Sequence, residues 1–371
     1  MKIAICTIAY NRLDSIKRLL ESLSKAYYHT TVTLIISVDK SDNETVVEYA
    51  NSFMWNYGEK RVVAHQNNLG LKKHILSIGE YLQEFDAIVV LEDDITVAQN
   101  FFNYTIQTVE KYYDNNQIAG ISLYNYPLSY HNWKPFVPLH SDSDVYLIQV
   151  ASSWGQIWMK NQWNAFKEWY ENHNNEFQYE PHLPKSICSW GRNSWLKYHM
   201  KYCIEQNKYF IFPYISLSTN NSDAGTHSFQ KNTIFQSPIL FGEKKEFNLN
   251  PTIIYDGFFE NELLHKILDV PKEKLCVDFY GCKQNAMKCK YWLTTRICDY
   301  KIVKSFSLEQ KPYEYNIINN IKGIELFLYD TDVKKKNIYN NLKSKIKRKI
   351  SYTEYIYNIK LRNFIKQLLS K

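Results

Sequence analysis

The sequence predicts an α/β fold in which a mixed, mainly parallel sheet is flanked by helices. Two observations lead to this prediction. Within the first 125 residues, short apolar runs alternate with segments of helical periodicity, which is typical of strands joined by crossover helices. The run at 87–91 is apolar throughout, as expected for a central parallel strand that is buried on both faces.

The elements of this first part follow in order along the chain. Asp14 is predicted to cap the first helix. Apolar residues at helical spacing predict the core-facing sides of three helices. The predicted strands are 3–9, 32–38, 61–65, 87–91 and 118–123; the helix faces are Ile16, Leu19, Leu20 and Leu23, then Val46, Ala50, Phe53 and Met54, then Leu71, Ile75, Ile78 and Leu82; a fourth helix covers 101–113.

The second part of the chain has weaker periodicity. Residues 125–150 are rich in Pro, His, Ser and Asp and are predicted to be a loop, and residues 208–217 are predicted to form a strand. Two Ser-Trp-Gly segments, ending at Gly155 and Gly191, each precede a predicted helix, the second of which starts near residue 190. We therefore divide the chain into a domain of residues 1–240, with halves 1–125 and 126–240, an α and β extension at 241–330, and a helical tail at 331–371.

The positive charge of the chain is concentrated in this tail. Residues 331–371 contain 12 Lys or Arg but only Asp332 and Glu354, so the rest of the protein is close to neutral despite a net charge of +7. A nucleic-acid-binding domain needs clustered cations on its folded surface, and we expect no nucleic acid partner. Leu361, Phe364 and Leu368 lie at helical spacing among the lysines, which predicts a basic amphipathic helix at an anionic membrane surface, or a solvated helix packed on the body.

The cellular compartment can also be predicted. No apolar run approaches the length of a membrane-spanning helix, and no charged segment followed by an apolar one marks a signal peptide. The seven cysteines are odd in number and irregularly spaced, which favours reduced thiols. We expect a cytoplasmic protein, peripheral on the inner face of the membrane.

Three consecutive acids, Glu92, Asp93 and Asp94, follow the most apolar strand. Ligands of open α/β sheets bind at the carboxyl edge, where this strand delivers the acids. Carboxylate oxygens suit Mn²⁺ or Mg²⁺, and such an ion can bridge the phosphates of a nucleotide leaving group. The alternative is a solvated acidic turn that stabilises the next helix through its dipole.

Other polar segments should reach the same edge. The end of the first strand and Asp39, at the end of the second, can hold a base or ribose, although Asp39 can equally be a turn or cap residue. The loop that opens the third helix offers amides and lysines to phosphate, although exposed lysines in a tight turn are equally expected. The residues predicted to bind the nucleotide are Thr7, Tyr10, Asn11, Arg12, Asp39, Asn68, Lys72, Lys73 and Asp93.

Three further side chains are candidates for the site. Trp154 and Trp190 can stack on sugar faces, or can be core residues. The imidazole of His227 can complete a metal site that begins with Asp94 or bind a diphosphate, or it can be an ordinary surface residue.

These residues give the chain a resemblance to the GT-A glycosyltransferases, both the bacterial family-2-like enzymes of surface polysaccharide synthesis and the N-acetylglucosaminyltransferase I type. The matching text is 5–12, 35–39 and, above all, Val90-Leu91-Glu92-Asp93-Asp94-Ile95. The segments 151–155, 189–190 and 213–227 are similar to the bacterial members, so the resemblance covers about residues 1–230.

The resemblance implies roles for individual residues. Asp94 would be the metal ligand, Asp93 would lie near the ribose or diphosphate, and Asp39 and Arg12 would lie by the base, which in this group is most often that of UDP. Inverting members carry a catalytic acid near the start of the helix after Trp190. This chain has Gly-Arg-Asn-Ser at 191–194 instead, so the base is left open between Asp223 and Glu180.

The expected activity is sugar transfer from a nucleotide-sugar donor to a glycan or lipid-linked acceptor, in polysaccharide or glycoconjugate synthesis. A sugar-1-phosphate nucleotidyltransferase is one alternative, but it needs a Gly-rich loop and residues 7–12 contain no Gly. A non-catalytic carbohydrate-binding protein is another, and it would leave the acid run without a role.

Overall fold

A nine-stranded mixed sheet forms the centre of this computed structural model, which describes residues 1–223, 233–286 and 288–344. The strands are β1 (Ile3–Ala9), β2 (Thr33–Val38), β3 (Lys60–Ala64), β4 (Ala87–Glu92), β5 (Ile95–Val97), β6 (Ile118–Ser122), β7 (Leu128–Ser129), β8 (Lys134–Pro135), β9 (Val145–Ile148), β10 (Gln156–Met159), β11 (Tyr209–Pro213), β12 (Ser218–Asn220), β13 (Ile254–Tyr255), β14 (Leu275–Asp278), β15 (Tyr291–Thr294), β16 (Tyr300–Phe306) and β17 (Leu326–Lys334).

The helices lie between these strands. They are α1 (Leu13–Ser24), α2 (Thr45–Ser52), α3 (Gly70–Ile78), α4 (Phe101–Tyr112), α5 (Lys160–His173), α6 (Lys185–Cys188), α7 (Leu196–Glu205), α8 (Leu264–Leu268) and α9 (Glu314–Ile318), with short 3-10 helices at Gly79–Gln83 and Lys272–Lys274.

The order of the main sheet is β13-β9-β11-β6-β10-β4-β1-β2-β3. Strands β1 to β4 are parallel, with Ile8 beside Glu92 on one side and beside Ser37 on the other. This register brings the carboxyl ends of β1, β2 and β4 to one edge. The predicted α/β fold class, a mainly parallel sheet flanked by helices, is confirmed.

The two faces of the sheet are covered by different helices. One apolar core unites alternate residues of the strands, such as Ile5, Ile36 and Val89, with α1, α2 and α4. Helices α3, α5 and α7 cover the other face, where His74 of α3 bonds to Ser37. Because side chains of a strand alternate between faces and both faces are covered, the central strands β1, β2 and β4 are buried along nearly their whole length.

Several predicted details are wrong. Asp14 is not the cap of α1: it lies in the first turn, where its charge still suits the helix dipole, and Arg12 precedes the helix. Helix α2 ends at Ser52, because the backbone of Phe53 is extended, and Met54 is 75% exposed.

The interval 125–150 also differs from the predicted loop, since β9 pairs within the main sheet. After Gly155 the chain first forms β10, antiparallel between β4 and β6, and only then enters α5. The helix predicted to begin near Trp190 begins at Leu196. For β9 and β10, long-range strand pairing, which leaves no local sequence signal, decides the backbone.

The chain divides into two compact units. One contains residues 1–130 and 140–257, and the other contains residues 131–139 and 258–371. The second unit has a four-stranded sheet ordered β14-β15-β17-β16 over a small core with Trp292 and Phe327. The boundary drawn from the sequence at 240 precedes β13, a strand of the main sheet, and the one at 330 falls inside β17, so residues 331–334 are strand and not helix.

Residues 345–371, with the apolar positions of the predicted amphipathic tail, lie outside the described residues. Within the described ranges, none of the helices has the length and apolar character needed to cross a bilayer.

Candidate functional site

The acid run lies where β4 ends at the carboxyl edge of the sheet. Glu92 is the last residue of β4, and Asp93, which follows it, is only 4% exposed. The next strand, β5, pairs antiparallel with β12, and the Asn221 backbone amide donates to the Asp94 carbonyl at 2.8 Å. These pairings fix the turn from both sides, so the acids are not on a freely solvated loop.

Arg12 joins the two aspartates. Its Nε donates to Asp93 Oδ2 at 3.2 Å, its Nη2 also donates to Asp93, and its Nη1 lies 3.4 Å from Asp94 Oδ2. Burial raises the pKa of Asp93 to about 6, although Arg12 opposes this effect. Burial and the two neighbouring aspartates raise the pKa of Glu92 to about 8. The edge thus concentrates more negative charge than one arginine compensates.

One carboxylate oxygen of this cluster is buried without a hydrogen bond to any described residue. Asp94 Oδ1 is buried and has no hydrogen-bond partner among the described residues. A buried anionic oxygen without a partner is costly, and its occurrence calls for a specific explanation. A hard oxygen ligand of this kind fits Mn²⁺ or Mg²⁺.

Asp39 forms a cap at the neighbouring strand end. Its Oδ1 accepts from the amide of Leu69 at 2.8 Å and its Oδ2 from the amide of Gly70 at 2.9 Å, where α3 begins. Asn68 is tied to the same turn through the Lys40 carbonyl, at 2.9 Å. The cap interpretation of Asp39 thus has direct contacts, while its contact with a base stays a prediction.

The remaining candidates at this edge differ in exposure. Tyr10 and Asn11 are exposed just beyond β1, and Lys73 is exposed on α3. Thr7 is fully buried within β1, so its hydroxyl faces the interior of the fold. Tyr10 and Asn11 are therefore the residues of segment 7–12 that are open to a ligand, together with the partly exposed Arg12.

The family profile described as glycosyl transferase family 2 matches residues 4–165, which covers β1 to β4 and the acid run. This part of the chain is therefore similar to glycosyl transferase family 2. The GT-A-type, family-2-like resemblance seen in the sequence is confirmed, while likeness to the N-acetylglucosaminyltransferase I type stays a prediction. No curated protein matches the chain in sequence.

Solved structures align with parts of the chain. S. aureus TarS 1-349 in complex with UDP-GlcNAc is 15% identical over 61% of this chain and 60% of that chain, with a TM-score of 0.38. Mannosyltransferase PcManGT from Pyrobaculum calidifontis, in complex with GDP-Man and Mn²⁺, is 11% identical over 58% of this chain and 57% of that chain, with a TM-score of 0.35. The chain thus spans about three fifths of the length of these structures.

Lys72 contacts two aromatic rings, and its predicted contact with phosphate stays a prediction. Its ammonium nitrogen lies 4.2 Å from the ring centroid of Tyr198 in α7 and 5.5 Å from that of Tyr170 in α5. These contacts place the Lys72 ammonium beside α5 and α7, which cover the same face of the sheet as α3.

The two candidate bases, Asp223 and Glu180, are both ion-paired. Asp223 accepts from Ser15 at 2.7 Å and from Arg18, both on α1. Glu180 accepts from Lys201 at 2.5 Å. Either carboxylate would have to leave its cation to take a proton from an acceptor. Of the two, Asp223 lies closer in sequence to Asn221, whose amide bonds to the Asp94 carbonyl. Arg18 was not identified from the sequence as a partner of Asp223, because the only indication in the sequence is its position on the polar side of α1.

The two tryptophans belong to one chain of aromatic rings. Trp154 lies 5.6 Å from Tyr126, Tyr126 lies 5.5 Å from Tyr130, and Tyr130 lies 5.7 Å from Trp190, measured between ring centroids. Both tryptophans are half-buried, which suits a wall that packs on one side and faces solvent on the other. The tyrosines were missed because they lie in the interval predicted to be a loop.

His227 cannot be compared with this geometry, because residues 224–232 lie outside the described residues.

Proposed function

We propose that this protein transfers a sugar from a nucleotide-sugar donor, a UDP-sugar, to a hydroxyl of a carbohydrate or lipid-linked acceptor. The support is the similarity to family 2 together with the buried, unpartnered Oδ1 of Asp94 at the carboxyl end of β4. In this proposal Asp94 holds Mn²⁺ or Mg²⁺, and the ion, when bound, neutralises charge on the departing nucleoside diphosphate.

The chain's own residues position the donor around this point. Arg12 fixes Asp93 and the second oxygen of Asp94, so the free oxygen of Asp94 keeps one orientation. Asp39 holds the opening of α3 beside the end of β2, which would shape the pocket for base and ribose. Tyr10 is exposed at the same edge and can stack on the base.

On the acceptor side we propose that Trp154 and Trp190 bind sugar rings and that Asp223 accepts the proton of the acceptor hydroxyl. Release from Arg18 would be the step that makes Asp223 basic. Glu180 is the second candidate for this role.

Cellular placement is proposed from charge alone. The lysine-rich segment that follows β17 would hold the enzyme on an anionic membrane, from the cytoplasmic side, where lipid-linked acceptors lie.

The decisive test is calorimetry with UDP in the presence and absence of Mn²⁺. We expect metal-dependent UDP binding in the wild type, and a loss of at least tenfold in affinity in Asp94→Asn, because the amide cannot replace an anionic ligand. The exposed Asp42→Asn is the matched control and should bind as the wild type does. Metal-independent or absent UDP binding by the wild type would refute the proposal.

A further inference from the structure

Two lysines flank one buried ring, which belongs to Tyr198 of α7. The ammonium nitrogens of Lys72, in the first turn of α3, and Lys197, in the first turn of α7, lie 4.2 Å and 5.4 Å from the ring centroid of Tyr198. Tyr198 itself is 1% exposed. Two positive charges from different helices therefore converge at one place.

Lys197 is a buried cation that has no carboxylate of the described residues within ion-pair distance. Its exposure is 0%, and its ammonium donates to the Trp190 carbonyl at 3.2 Å. No carboxylate of the described residues lies within 4.0 Å of the Lys197 or Lys72 ammonium. Aromatic faces compensate an ammonium only in part, and a buried ammonium without a contacting anion is unfavourable. Burial, together with the charge of Lys72, lowers the pKa of Lys197, although the charge of Glu176, which lies beyond ion-pair distance, opposes this effect.

The next lysine of α7 shows the contrast. Lys201, four residues on, has Glu180 at 2.5 Å and Glu205 at 3.5 Å. The ring of Phe177 lies 4.9 Å from the Lys197 ammonium and 4.6 Å from that of Lys201. The fold thus places two carboxylates in direct contact with Lys201, whereas the direct contacts of the Lys197 ammonium are rings and a carbonyl, with Phe177 covering both.

We infer that Lys72 and Lys197 bind a phosphate or phosphodiester group of the acceptor, which enters when Phe177 moves off Lys197. The assignment of this phosphate to the acceptor rests on the proposed function. Two facts favour the acceptor over the donor as the source of the phosphate. The lysines lie on the sheet face covered by α3, α5 and α7, whereas Arg12 leads into α1 on the other face. Lys197 also donates a hydrogen bond to the carbonyl of Trp190, at the end of the chain of aromatic rings. An anion there neutralises both ammonium groups and places an attached sugar beside Trp190.

The test is calorimetry of the full-length protein with glycerol 3-phosphate, with neutral glycerol as the comparison probe. We expect glycerol 3-phosphate to bind equally well with and without saturating UDP and Mn²⁺, and glycerol not to bind. Lys197→Met and Lys72→Met should weaken binding at least tenfold, because methionine keeps most of the apolar stem and removes the charge. The exposed Lys185→Met, on α6, is the matched control and should bind as the wild type does.

Three outcomes would overturn the inference: no binding of glycerol 3-phosphate to the wild type, unchanged binding in both methionine variants, or displacement by UDP, which would make this the donor diphosphate site. Lys197→Arg keeps the charge and should retain binding, so a loss seen only in Lys197→Met cannot be a folding defect. Phe177→Ala should tighten binding severalfold, and unchanged affinity would refute the covering role. UDP binding is measured separately, so failure of the proposed function would show there and not in the glycerol 3-phosphate titration.

Discussion

At the scale of single residues, the acid run contains three different environments. Asp93 is buried and paired with Arg12, Asp94 has one paired and one unpaired oxygen, and Glu92 ends β4 with a raised pKa. Because the side chains of consecutive residues point in different directions, three identical charges acquire unequal partners. The unpaired oxygen of Asp94 is what distinguishes a candidate ligand from a structural acid.

Arg12 is expected to stabilise the fold as well as the site. Arg12→Gln leaves the buried Asp93 carboxylate without its cation, so we expect the free energy of unfolding to fall by about 3 kcal/mol in urea titrations. Adding Asp93→Asn should restore part of this loss, because the uncompensated charge is then removed. The exposed Arg192→Gln serves as the control and should change stability by less than about 0.5 kcal/mol. Equal effects of the two arginine variants would show that the pair with Asp93 does not stabilise the fold.

His199 should make stability depend on pH. Its ring stacks on Phe166 at 4.2 Å, neither ring nitrogen has a hydrogen-bond partner among the described residues, and burial lowers its pKa to about 3. The unfolded chain takes up a proton below about pH 6.5, whereas the folded protein does so only near pH 3, so stability falls as pH decreases through this window. From pH 7 to pH 5 this costs about 2 kcal/mol, and His199→Leu should lose correspondingly less in urea titrations at the two pH values.

The exposed His29→Leu should keep the pH dependence of the wild type, since that ring is solvated in both states. If His199→Leu shows the same change between pH 7 and pH 5 as the wild type, another group is responsible.

At the scale of elements, small residues decide how closely helices approach the sheet and each other. Gly79 ends α3, and a Cβ there would lie 2.1 Å from the Trp163 ring of α5. Trp163 in turn stacks on Trp158 of β10 at 4.0 Å. The close contact between α3 and α5 therefore depends on the absence of one methyl group.

Gly79→Ala should displace the Trp163 ring and lower the free energy of unfolding by about 2 kcal/mol, with a change in tryptophan fluorescence of the folded protein. Gly191→Ala is the matched control, because nothing lies within 4 Å of a Cβ at that position and we expect a change of less than about 0.5 kcal/mol. If Gly79→Ala is as stable as the Gly191 variant, the α3 and α5 contact is not close-packed.

At the scale of the whole molecule, charge separates the tail from the body. The described structure shows that a truncation designed at residue 331 would cut β17, so the tail is best removed after residue 344. The protein lacking 345–371 should keep its fold and lose flotation with vesicles of anionic phospholipid. The truncation removes eight of the twelve Lys and Arg residues of the tail 331–371.

Vesicles of neutral phospholipid are the control for this experiment, and neither protein should float with them. Undiminished flotation of the truncated protein with anionic vesicles would contradict a membrane role of the tail.

The sequence by itself determined the parallel half of the sheet and the position of the acid run. Apolar periodicity and strand ends are local signals, so Glu92-Asp93-Asp94 could be assigned to the carboxyl edge from 87–94 alone. The partners of Asp223, one of the two proposed bases, could not be found in this way, because Asp223 meets Ser15 and Arg18 across more than 200 residues of chain.

Only the tertiary structure decided which charges are paired. A side chain's partners depend on long-range packing, so the sequence could not show that Asp39 caps α3, that Lys72 turns toward Tyr198, or that β10 enters the sheet antiparallel. Among the described residues, the same packing leaves Asp94 Oδ1 without a hydrogen-bond partner and the Lys197 ammonium without a carboxylate within ion-pair distance. The local sequence pattern predicted that the acid run lies at the edge of the sheet. Burial, which only the folded chain defines, shows which polar groups lack a protein partner and are candidates to bind a ligand.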